Sequence, residues 1–417
     1  MKNIWIIDHY SSEPQYGGIS RQYDFAMELA KRDYNVVVLA SSFSHFTHSY
    51  ISNEPIMYSD VNEKVHYVYI KTTEYQSNGG RKRAKGMFDF FYGVKRYESS
   101  IAQRYGRPDV VEGCSVHPLA WSAAYWVSRK YKVRFCAEIR DLWPKFWIDA
   151  GIKKKYDPMC LFFGAIEKRA FKHADRIIYS MSRGDKYICD ERGVCREKTY
   201  LIGQPMDCDR FDENSKKFNM VPRNIRDFME DSFVCTFAGY FIMYEGVFVM
   251  LEAAKILLEK GLPIKMVLVG SGEAREEMLD YVKTNKLENV MIGERISKEA
   301  IPALLSQSDI CMAHLEIKDH KEACQYGTSK NKINEYLYSG ACTLYGFMHK
   351  DEFVGKSGGG FIFEPYNAKS LAEYIEYIYN MPENERHTMG EKGRKYIREN
   401  HSVDALTDKL EEAFFGN

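Results

Sequence analysis

Short apolar runs and amphipathic stretches alternate along almost the whole chain. The runs Asn35–Ala40 and Ile264–Gly270 are predicted to form buried strands, because each is a continuous stretch of mostly branched aliphatic residues. The stretches Ser20–Arg32 and Gly246–Lys260 are predicted to form helices, because their apolar residues recur on one helical face. Repeated alternation of strand and helix indicates a doubly wound α/β fold with parallel sheets.

A polar stretch without a clear period interrupts this alternation near the middle of the chain. We therefore predict a Rossmann-like domain over 1–205, a linker over 206–232, a second Rossmann-like domain over 233–400 and a C-terminal helix over 401–417. A return of this last helix to the first domain is one hypothesis for its position. In doubly wound sheets, ligands bind beyond the carboxyl ends of the strands. A site in a cleft between the two domains is therefore expected.

Charge and cysteine usage narrow the class of protein. Lysine plus arginine equals aspartate plus glutamate, at 58 each, a balance that argues against a general nucleic-acid-binding protein. The ten cysteines are scattered without CxxC spacing, and the first residues resemble a strand more than a secretory signal. We therefore expect free thiols, no metal site and a cytoplasmic protein, without a membrane-spanning run of about 18 apolar residues.

The strongest candidate site lies at the start of a predicted helix in the second domain. In the run GTSKNKINEYLYSG, Thr328 or Ser329 is a suitable helix N-cap. The N-terminal end of a helix attracts phosphate through its dipole and its free N–H groups. Lys332 and Glu335 share one face of this helix, which suits a diphosphate and ribose hydroxyls, although an ordinary surface ion pair has the same spacing.

Glycines after predicted strands are weaker candidates for the same kind of site. Gly17 and Gly18 precede the first helix of the first domain. In the second domain, Gly239 ends one strand, and Gly270 and Gly272 follow another. Glycine allows the backbone to approach a phosphate closely, but plain turns have the same composition and no GxGxxG fingerprint is present.

The order of these motifs resembles the donor domain of family-4 retaining glycosyltransferases of the GT-B fold. The matching segments are SxNKxxEYLxxG, VGSGE upstream of it and GERISKE between the two. The first half is similar in its GG loop, and its EIRDLWP stretch resembles a subgroup that builds bacterial capsule and O-antigen chains, such as amino-sugar transferases. The resemblance covers nearly the whole chain.

The resemblance implies retaining transfer of a sugar from a nucleotide donor, expected to be UDP-linked, onto a glycan or polyprenyl-diphosphate-linked acceptor in surface polysaccharide synthesis. It implies neither a metal nor a cofactor. Asp141 and Lys332 would be catalytic, with Asp141 on the transferred sugar and Arg140 on an acidic group or phosphate. The implied donor-binding residues are Gly17, Gly18, Gly239, Gly270, Gly272, Arg295, Ile296, Ser329, Asn331, Lys332 for the diphosphate and Glu335 for the ribose.

The chain departs from the family pattern at the diphosphate site. The usual basic pair after the first strand of the donor domain falls on Tyr240 and Glu245, neither of which is basic. A glutamate that pointed inward would repel a diphosphate. Lys330, Lys332 or Arg21 is a candidate replacement for the missing charge.

A basic and aromatic stretch, RKRAKGMFDFFY, carries a different hypothesis. Arg81, Lys82, Arg83 and Lys85 stand beside several aromatic residues, a combination that suits an anionic membrane surface. We expect a peripheral contact with the inner face of the membrane on this hypothesis. A solvated loop that leads into a helix is the alternative.

Two further classes of function stay open on the sequence alone. A nucleotide-sugar 2-epimerase shares the two-domain architecture and would isomerise a UDP-sugar without an acceptor. A degenerate, non-catalytic partner subunit would account for the missing basic pair and would bind no nucleotide.

Overall fold

The computed structural model describes residues 1–18, 20–76, 80–317, 319–327 and 330–416. The chain divides into two compact units. Unit 1 consists of Met1–Pro205 and Val403–Asn417, and unit 2 consists of Met206–Ser402. No described helix is both long and apolar enough to cross a membrane. All ten cysteines are free thiols, and only Cys195 is exposed.

Unit 1 is built on an eight-stranded sheet with helices packed on it. Its strands are β1 (Asn3–Ile7), β2 (Asn35–Ser41), β3 (Phe43–Ser44), β4 (Ser49–Tyr50), β5 (Ile56–Asp60), β6 (Val65–Ile70), β7 (Val110–Cys114), β8 (Arg134–Ile139), β9 (Arg176–Tyr179) and β10 (Thr199–Leu201). Its first five helices are α1 (Arg21–Lys31), α2 (Arg81–Tyr105), α3 (Leu119–Tyr131), α4 (Lys145–Asp149) and α5 (Pro158–His173).

The strand order in the main sheet of unit 1 is β10-β9-β8-β7-β1-β2-β6-β5. All neighbours are parallel except β5, which runs antiparallel to β6 at one edge, and β3 and β4 form a separate hairpin. Every residue of β1 and β2 is buried. Continuous apolar runs of this kind are what a parallel sheet requires, because helices cover its strands.

Unit 2 contains a six-stranded, fully parallel sheet in the order β13-β12-β11-β14-β15-β16. The strands are β11 (Phe233–Tyr240), β12 (Ile264–Ser271), β13 (Val290–Gly293), β14 (Ile310–His314), β15 (Cys342–Gly346) and β16 (Gly360–Phe363). The helices are α6 (Cys208–Ser215), α7 (Arg223–Met229), α8 (Val247–Glu259), α9 (Arg275–Thr284), α10 (Ile301–Leu305), α11 (Asn331–Tyr338), α12 (Phe353–Ser357), α13 (Ala368–Tyr379) and α14 (Glu383–Asn400).

The last helix, α15 (Val403–Phe415), belongs to unit 1 although the whole of unit 2 precedes it in sequence. Leu406, Leu410 and Phe414 of this helix are buried in the same apolar core as β1 and α1. Arg32 at the end of α1 adds ion pairs to three carboxylates of α15, those of Asp404, Asp408 and Glu411.

The segment 206–232, predicted to be a linker, instead contributes helices α6 and α7 to the core of unit 2. Phe211 of α6 packs in one apolar cluster, and Ile225 and Met229 of α7 pack in another with Val267 of β12. The linker prediction is wrong because both helices are short and bury only three and two residues, respectively. Their few apolar residues are too sparse to produce a recognisable period.

Candidate functional site

Three glycines of the predicted donor site lie where β11 and β12 end in unit 2. Gly239 and Gly270 are direct neighbours in the parallel register of the two strands, and Gly272 follows one residue beyond β12. A Cβ on Gly270 would overlap the carbonyl oxygen of Gly239, and one on Gly272 would overlap the backbone of Phe241. The backbones approach so closely that only glycine fits at these two positions.

Tyr336 of helix α11 makes two hydrogen bonds with the backbone near the end of β11. The Tyr336 hydroxyl donates to the carbonyl oxygen of Ala238 at 2.9 Å and accepts from the Ala238 N–H at 2.8 Å. The N-cap position of α11 is Lys330, whose side chain makes no capping hydrogen bond. The predicted cap residues Thr328 and Ser329 lie outside the described residues, so the donor-binding role of Ser329 stays a prediction.

The Lys332 side chain is directed at the end of β11 and away from bulk solvent. Its Nζ lies 4.6 Å from the ring centroid of Phe237 and so near Gly239 that a Cβ there would overlap it. The side chain is 17% exposed. Lys332 therefore places one partly buried ammonium beside the glycine-lined strand ends.

Glu245 joins this ammonium to a second one. Glu245 Oε2 accepts from Lys332 Nζ at 2.9 Å, and Glu245 Oε1 accepts from Lys330 Nζ at 2.9 Å. We call these three residues the Lys–Glu–Lys cluster. Burial disfavours the carboxylate of Glu245, but the two ammoniums outweigh burial and hold its pKa below the ordinary value. The cluster thus carries two positive charges and one negative charge.

Glu245, the glutamate at the family's basic position, is therefore not an unpaired negative charge. Its charge is already neutralised by the ion pairs with Lys330 and Lys332. Tyr240 itself is exposed at the end of β11. Lys330 is largely buried, and its pKa is lowered by burial, an effect that the charge of Glu245 opposes.

His314 supports the cluster from β14, although no sequence motif indicates it. The backbone N–H of Tyr366 donates to His314 Nε2 at 3.2 Å, so Nδ1 carries the proton and donates to the Tyr244 carbonyl at 3.0 Å. Burial lowers the pKa of His314 to about 4, which keeps the ring neutral. The ring lies directly against Gly246, where a Cβ would overlap it.

Glu335 follows Lys332 by one turn on α11 and is half-buried. Burial raises the pKa of Glu335 to about 7, and Lys298, Lys332 and Arg210 oppose this rise through their charges. Lys298 and Arg210 precede the motif by many residues, and only the fold brings their charges near this carboxyl group. Glu335 is thus poised to change its charge near neutral pH.

The other predicted donor-binding residues of unit 2 lie on its surface. Arg295 is exposed in the loop after β13, and Asn331 is exposed at the first residue of α11. Ile296 is half-buried and packs against the apolar cluster that contains helix α7. The roles assigned to these three residues stay predictions.

The glycine pair of unit 1 shapes the loop between β1 and α1. Gly17 and Gly18 have φ values of 73° and 100°, a region that residues with a Cβ rarely adopt. A Cβ on Gly18 would also lie 2.8 Å from Ser12 Oγ, and the Ser12 hydroxyl donates to the Gly17 carbonyl. The loop conformation itself therefore requires both glycines, whatever else they contact.

Arg21 is part of a buried ion cluster in unit 1 and is not a replacement for the missing basic pair. Arg21 Nε lies 2.7 Å from Glu138 Oε1, and its other nitrogens donate to the carbonyl oxygens of Ile202 and Gly203. Burial disfavours the carboxylate of Glu138, but Arg21 and Arg140 hold its pKa below the ordinary value. This hypothesis for Arg21 is therefore wrong.

Arg140 and Asp141 follow β8 and differ sharply in exposure. Arg140 is buried; its Nε donates to the Ser115 carbonyl at 3.0 Å and its NH1 lies 3.2 Å from Asp8. The acidic partners of Arg140 in this structure are thus the chain's own Asp8 and, at 4.0 Å, Glu138. The side chain of Asp141 reaches solvent, and desolvation by the surrounding protein raises its pKa while Arg140 opposes the rise.

The basic stretch of unit 1 forms the first turns of helix α2 and not a loop. Arg81, Lys82 and Lys85 are exposed, whereas Arg83 is turned inward, with its guanidinium 5.4 to 5.9 Å from three aromatic ring centroids. These rings belong to Tyr10, Tyr75 and Trp143. Arg83 is therefore not part of the exposed cationic surface that the sequence predicts.

Large apolar side chains are exposed on the same part of unit 1. Phe88 and Tyr92 of α2 are 39% and 61% exposed, and Leu161 and Phe162 of α5 are 56% and 43% exposed. The rings of Phe88 and Phe162 lie 6.0 Å apart, so the two helices present one continuous apolar area. We call Arg81, Lys82, Lys85 and these four residues the basic–aromatic surface.

Sequence profiles and fold together define the class of protein. Residues 16–210 match the profile described as Glycosyltransferase Family 4, and residues 232–381 match the profile described as Glycosyl transferases group 1. The protein is a glycosyltransferase with the GT-B fold, as its two parallel-sheet α/β units indicate. More particularly, the chain belongs to the group 1 and family 4 glycosyltransferases. No curated protein matches it in sequence.

Solved glycosyltransferase structures are similar over nearly the full length. Sucrose-phosphate synthase from Thermosynechococcus elongatus has a TM-score of 0.69 and 15% identity over 98% of this chain and 97% of that one. Anabaena HepE in complex with UDP has a TM-score of 0.68 and 14% identity over 99% of both chains. WaaG, a glycosyltransferase involved in lipopolysaccharide biosynthesis, has a TM-score of 0.66 and 14% identity over 100% of both. At these identities the likeness concerns the fold alone.

Proposed function

We propose that this protein transfers a sugar, with retention of configuration, from a UDP-linked donor to a glycan or polyprenyl-diphosphate-linked acceptor in surface polysaccharide synthesis. The observation that carries the proposal is the pair of ammoniums, Lys330 and Lys332, held beside the glycine-lined ends of β11 and β12. Two cations at the N-terminal end of a helix form a site for a diphosphate. A nucleotide-sugar donor is consistent with UDP bound in the structure of Anabaena HepE.

The chemistry of transfer begins at the bond between the sugar and the donor phosphate. As this bond breaks, its electron pair moves to the leaving diphosphate and the sugar develops oxocarbenium character. Lys332, Lys330 and the first N–H groups of α11 stabilise the charge that develops on the leaving group. On this proposal the acceptor's hydroxyl oxygen bonds to the anomeric carbon on the face from which the diphosphate leaves, and a phosphate oxygen of the leaving group accepts the hydroxyl proton. Neither a metal, a cofactor nor a dedicated protein base then takes part.

Other residues are proposed to hold the remaining parts of the donor. Glu335, on the same helix as Lys332, accepts hydrogen bonds from the ribose hydroxyls. Asp141 contacts the transferred sugar. The buried ion pair of Arg140 with Asp8 supports a positioning role for Arg140 behind Asp141 rather than direct contact with a phosphate.

A lipid-linked acceptor is supported by the basic–aromatic surface of unit 1. Exposed cations beside exposed rings suit an anionic membrane, with the rings at the level of the lipid headgroups. We propose that the protein works at the inner face of the cytoplasmic membrane through this surface. Assembly of capsule or O-antigen chains is the setting that such an acceptor favours.

The decisive experiment is a thermal-shift screen of nucleotides and nucleotide-sugars, followed by transfer assays on each compound that stabilises the protein. Because a ligand of the folded state raises its stability, UDP and at least one UDP-sugar are expected to raise the melting temperature. Lys332→Glu should abolish both this shift and transfer. Undiminished transfer by Lys332→Glu, isomerisation of a UDP-sugar without acceptor, or failure of every nucleotide to bind would each contradict the proposal.

A further inference from the structure

Glu245 occupies its position through a locally enforced backbone turn. A short 3-10 turn, Met243–Glu245, ends at Gly246, which has a φ of 69° and therefore favours glycine. The His314 ring fills the space that a Cβ of Gly246 would need and donates to the Tyr244 carbonyl. Tyr244, Gly246 and His314 thus fix the direction in which the Glu245 side chain leaves the backbone. This direction is toward the two lysines.

We propose that Glu245 is a positioning residue at the site of the donor's leaving group. Its carboxylate holds the ammoniums of Lys330 and Lys332 side by side before the donor binds. This inference rests on the proposed function, since it concerns the same diphosphate site. It reverses the expectation from the family pattern, in which an acidic residue at this position weakens the site.

The geometry of the Lys–Glu–Lys cluster supports this role. Each oxygen of the Glu245 carboxylate accepts from a different ammonium, both at 2.9 Å, so one rigid group sets the position of two flexible side chains. Lysine side chains lose considerable rotamer freedom when they are ordered. Because the contacts that order both side chains come from Glu245 itself, this ordering cost need not be met when the donor binds, and like-charge repulsion between Lys330 and Lys332 is balanced.

Glu245 also stabilises the charged form of Lys330. Burial and the nearby charge of Lys332 both favour loss of the Lys330 proton, and the Glu245 carboxylate opposes them. Without Glu245, Lys330 would therefore lose its proton at a lower pH than in the wild-type protein. The titratable and charged groups that face the Lys330 ammonium are Glu245, Lys332, Cys324, His314 and the Tyr244 ring.

The test measures the affinity for UDP-glucose by calorimetry between pH 7 and pH 10 in wild type, Glu245→Gln and Glu245→Asp. Glu277→Gln, which removes an exposed carboxylate from helix α9 of the same unit, is the matched control. Thermal melting of each variant verifies that it is folded. If UDP-glucose does not bind to wild type, the UDP-sugar that the screen selects takes its place.

Glu245→Gln is expected to bind about tenfold more weakly at pH 7.5, because the two lysine side chains then have to be ordered when the donor binds, at a cost of about 1.4 kcal/mol. Its affinity should also start to fall at a lower pH than in wild type, because Lys330 loses its proton at a lower pH when the opposing charge of Glu245 is absent. Glu245→Asp keeps a carboxylate, so it should retain the wild-type pH dependence. Glu277→Gln should match wild type throughout.

The possible results separate this inference from the proposed function. A folded Glu245→Gln variant with the wild-type pH dependence, or with tighter binding at every pH, overturns the positioning role, because Glu245 is then inert or competes with the donor. Failure of the wild-type protein to bind any nucleotide-sugar overturns the proposed function itself. A Glu245→Asp variant that behaves like Glu245→Gln also contradicts the inference.

Discussion

If Glu335 holds the ribose as proposed, its raised pKa predicts the direction in which donor binding depends on pH. Burial raises this pKa to about 7, so the carboxyl group is protonated below that pH and ionised above it. An ionised carboxylate offers both oxygens to the ribose hydroxyls and makes charge-assisted hydrogen bonds, which are roughly twice as strong as neutral ones. Donor affinity should therefore fall as the pH is lowered through 7.

The size of the effect follows from the ionised fraction of Glu335. With a pKa of about 7, roughly nine-tenths of the molecules carry the carboxylate at pH 8, and roughly one-tenth carry it at pH 6. If only the ionised form binds the ribose well, the apparent affinity decreases about tenfold between these two pH values, or about 1.4 kcal/mol. Glu245 does not contribute to this change, because its two lysines keep its pKa below the ordinary value of a glutamate.

The assay is calorimetric titration with a UDP-sugar at pH 6, 7 and 8. A UDP-sugar is preferable to UDP because both of its phosphates are esterified and the charge of the ligand stays constant over this range. Glu335→Gln should bind more weakly at pH 8 and show no pH dependence. Glu167→Gln is the matched control, because burial also raises the pKa of Glu167 to about 7 and this residue lies in unit 1. A wild-type affinity that is flat from pH 6 to pH 8, or an unchanged pH dependence in Glu335→Gln, would refute the reasoning.

Two further predictions concern the backbone of the donor site and the surface of unit 1. Gly270→Ala should lower the free energy of unfolding by about 1–3 kcal/mol, because the new Cβ overlaps the Gly239 carbonyl. The variant should therefore melt at a lower temperature and lose nucleotide binding. Gly164→Ala, where a Cβ meets only an ordinary contact, is the control. Simultaneous reversal of Arg81, Lys82 and Lys85 to glutamate should release the protein from anionic vesicles in flotation, at about 1 kcal/mol or more per residue. Reversal of three exposed cations of unit 2, namely Arg223, Lys369 and Lys395, should leave flotation unchanged. Equal flotation of both triple variants would exclude the basic–aromatic surface as the membrane contact.

Most of the fold could be predicted from the sequence, because parallel strands that are buried by helices produce long apolar runs. The predicted strands Asn35–Ala40 and Ile264–Gly270 each end one residue before the corresponding strands β2 and β12. Edge elements were harder to predict. Strand β5 pairs on one side only and is mostly half-buried, so it lacks a strong apolar pattern. Helices α6 and α7 escape detection for a related reason, since each is at most eight residues long.

The candidate site could be predicted only in part, because motifs identify residues but not the partners that the fold gives them. The predicted neighbours Gly239 and Lys332 do meet at the end of β11. The sequence could not show that Glu245, which is 85 positions from Lys330, lies between two lysines. Such a pairing depends on a turn, on the end of a strand and on the start of a helix that are distant in sequence.

The position of helix α15 has a consequence for how the protein folds during synthesis. The core of unit 1 includes Leu406, Leu410 and Phe414, which leave the ribosome only after the whole of unit 2 has been made. Unit 2 can therefore complete its core first, while the nascent unit 1 still exposes the apolar groove that α15 later covers. For the same reason, a recombinant fragment that stops at residue 205 would present this uncovered groove to solvent and is expected to aggregate unless the 403–415 peptide is supplied.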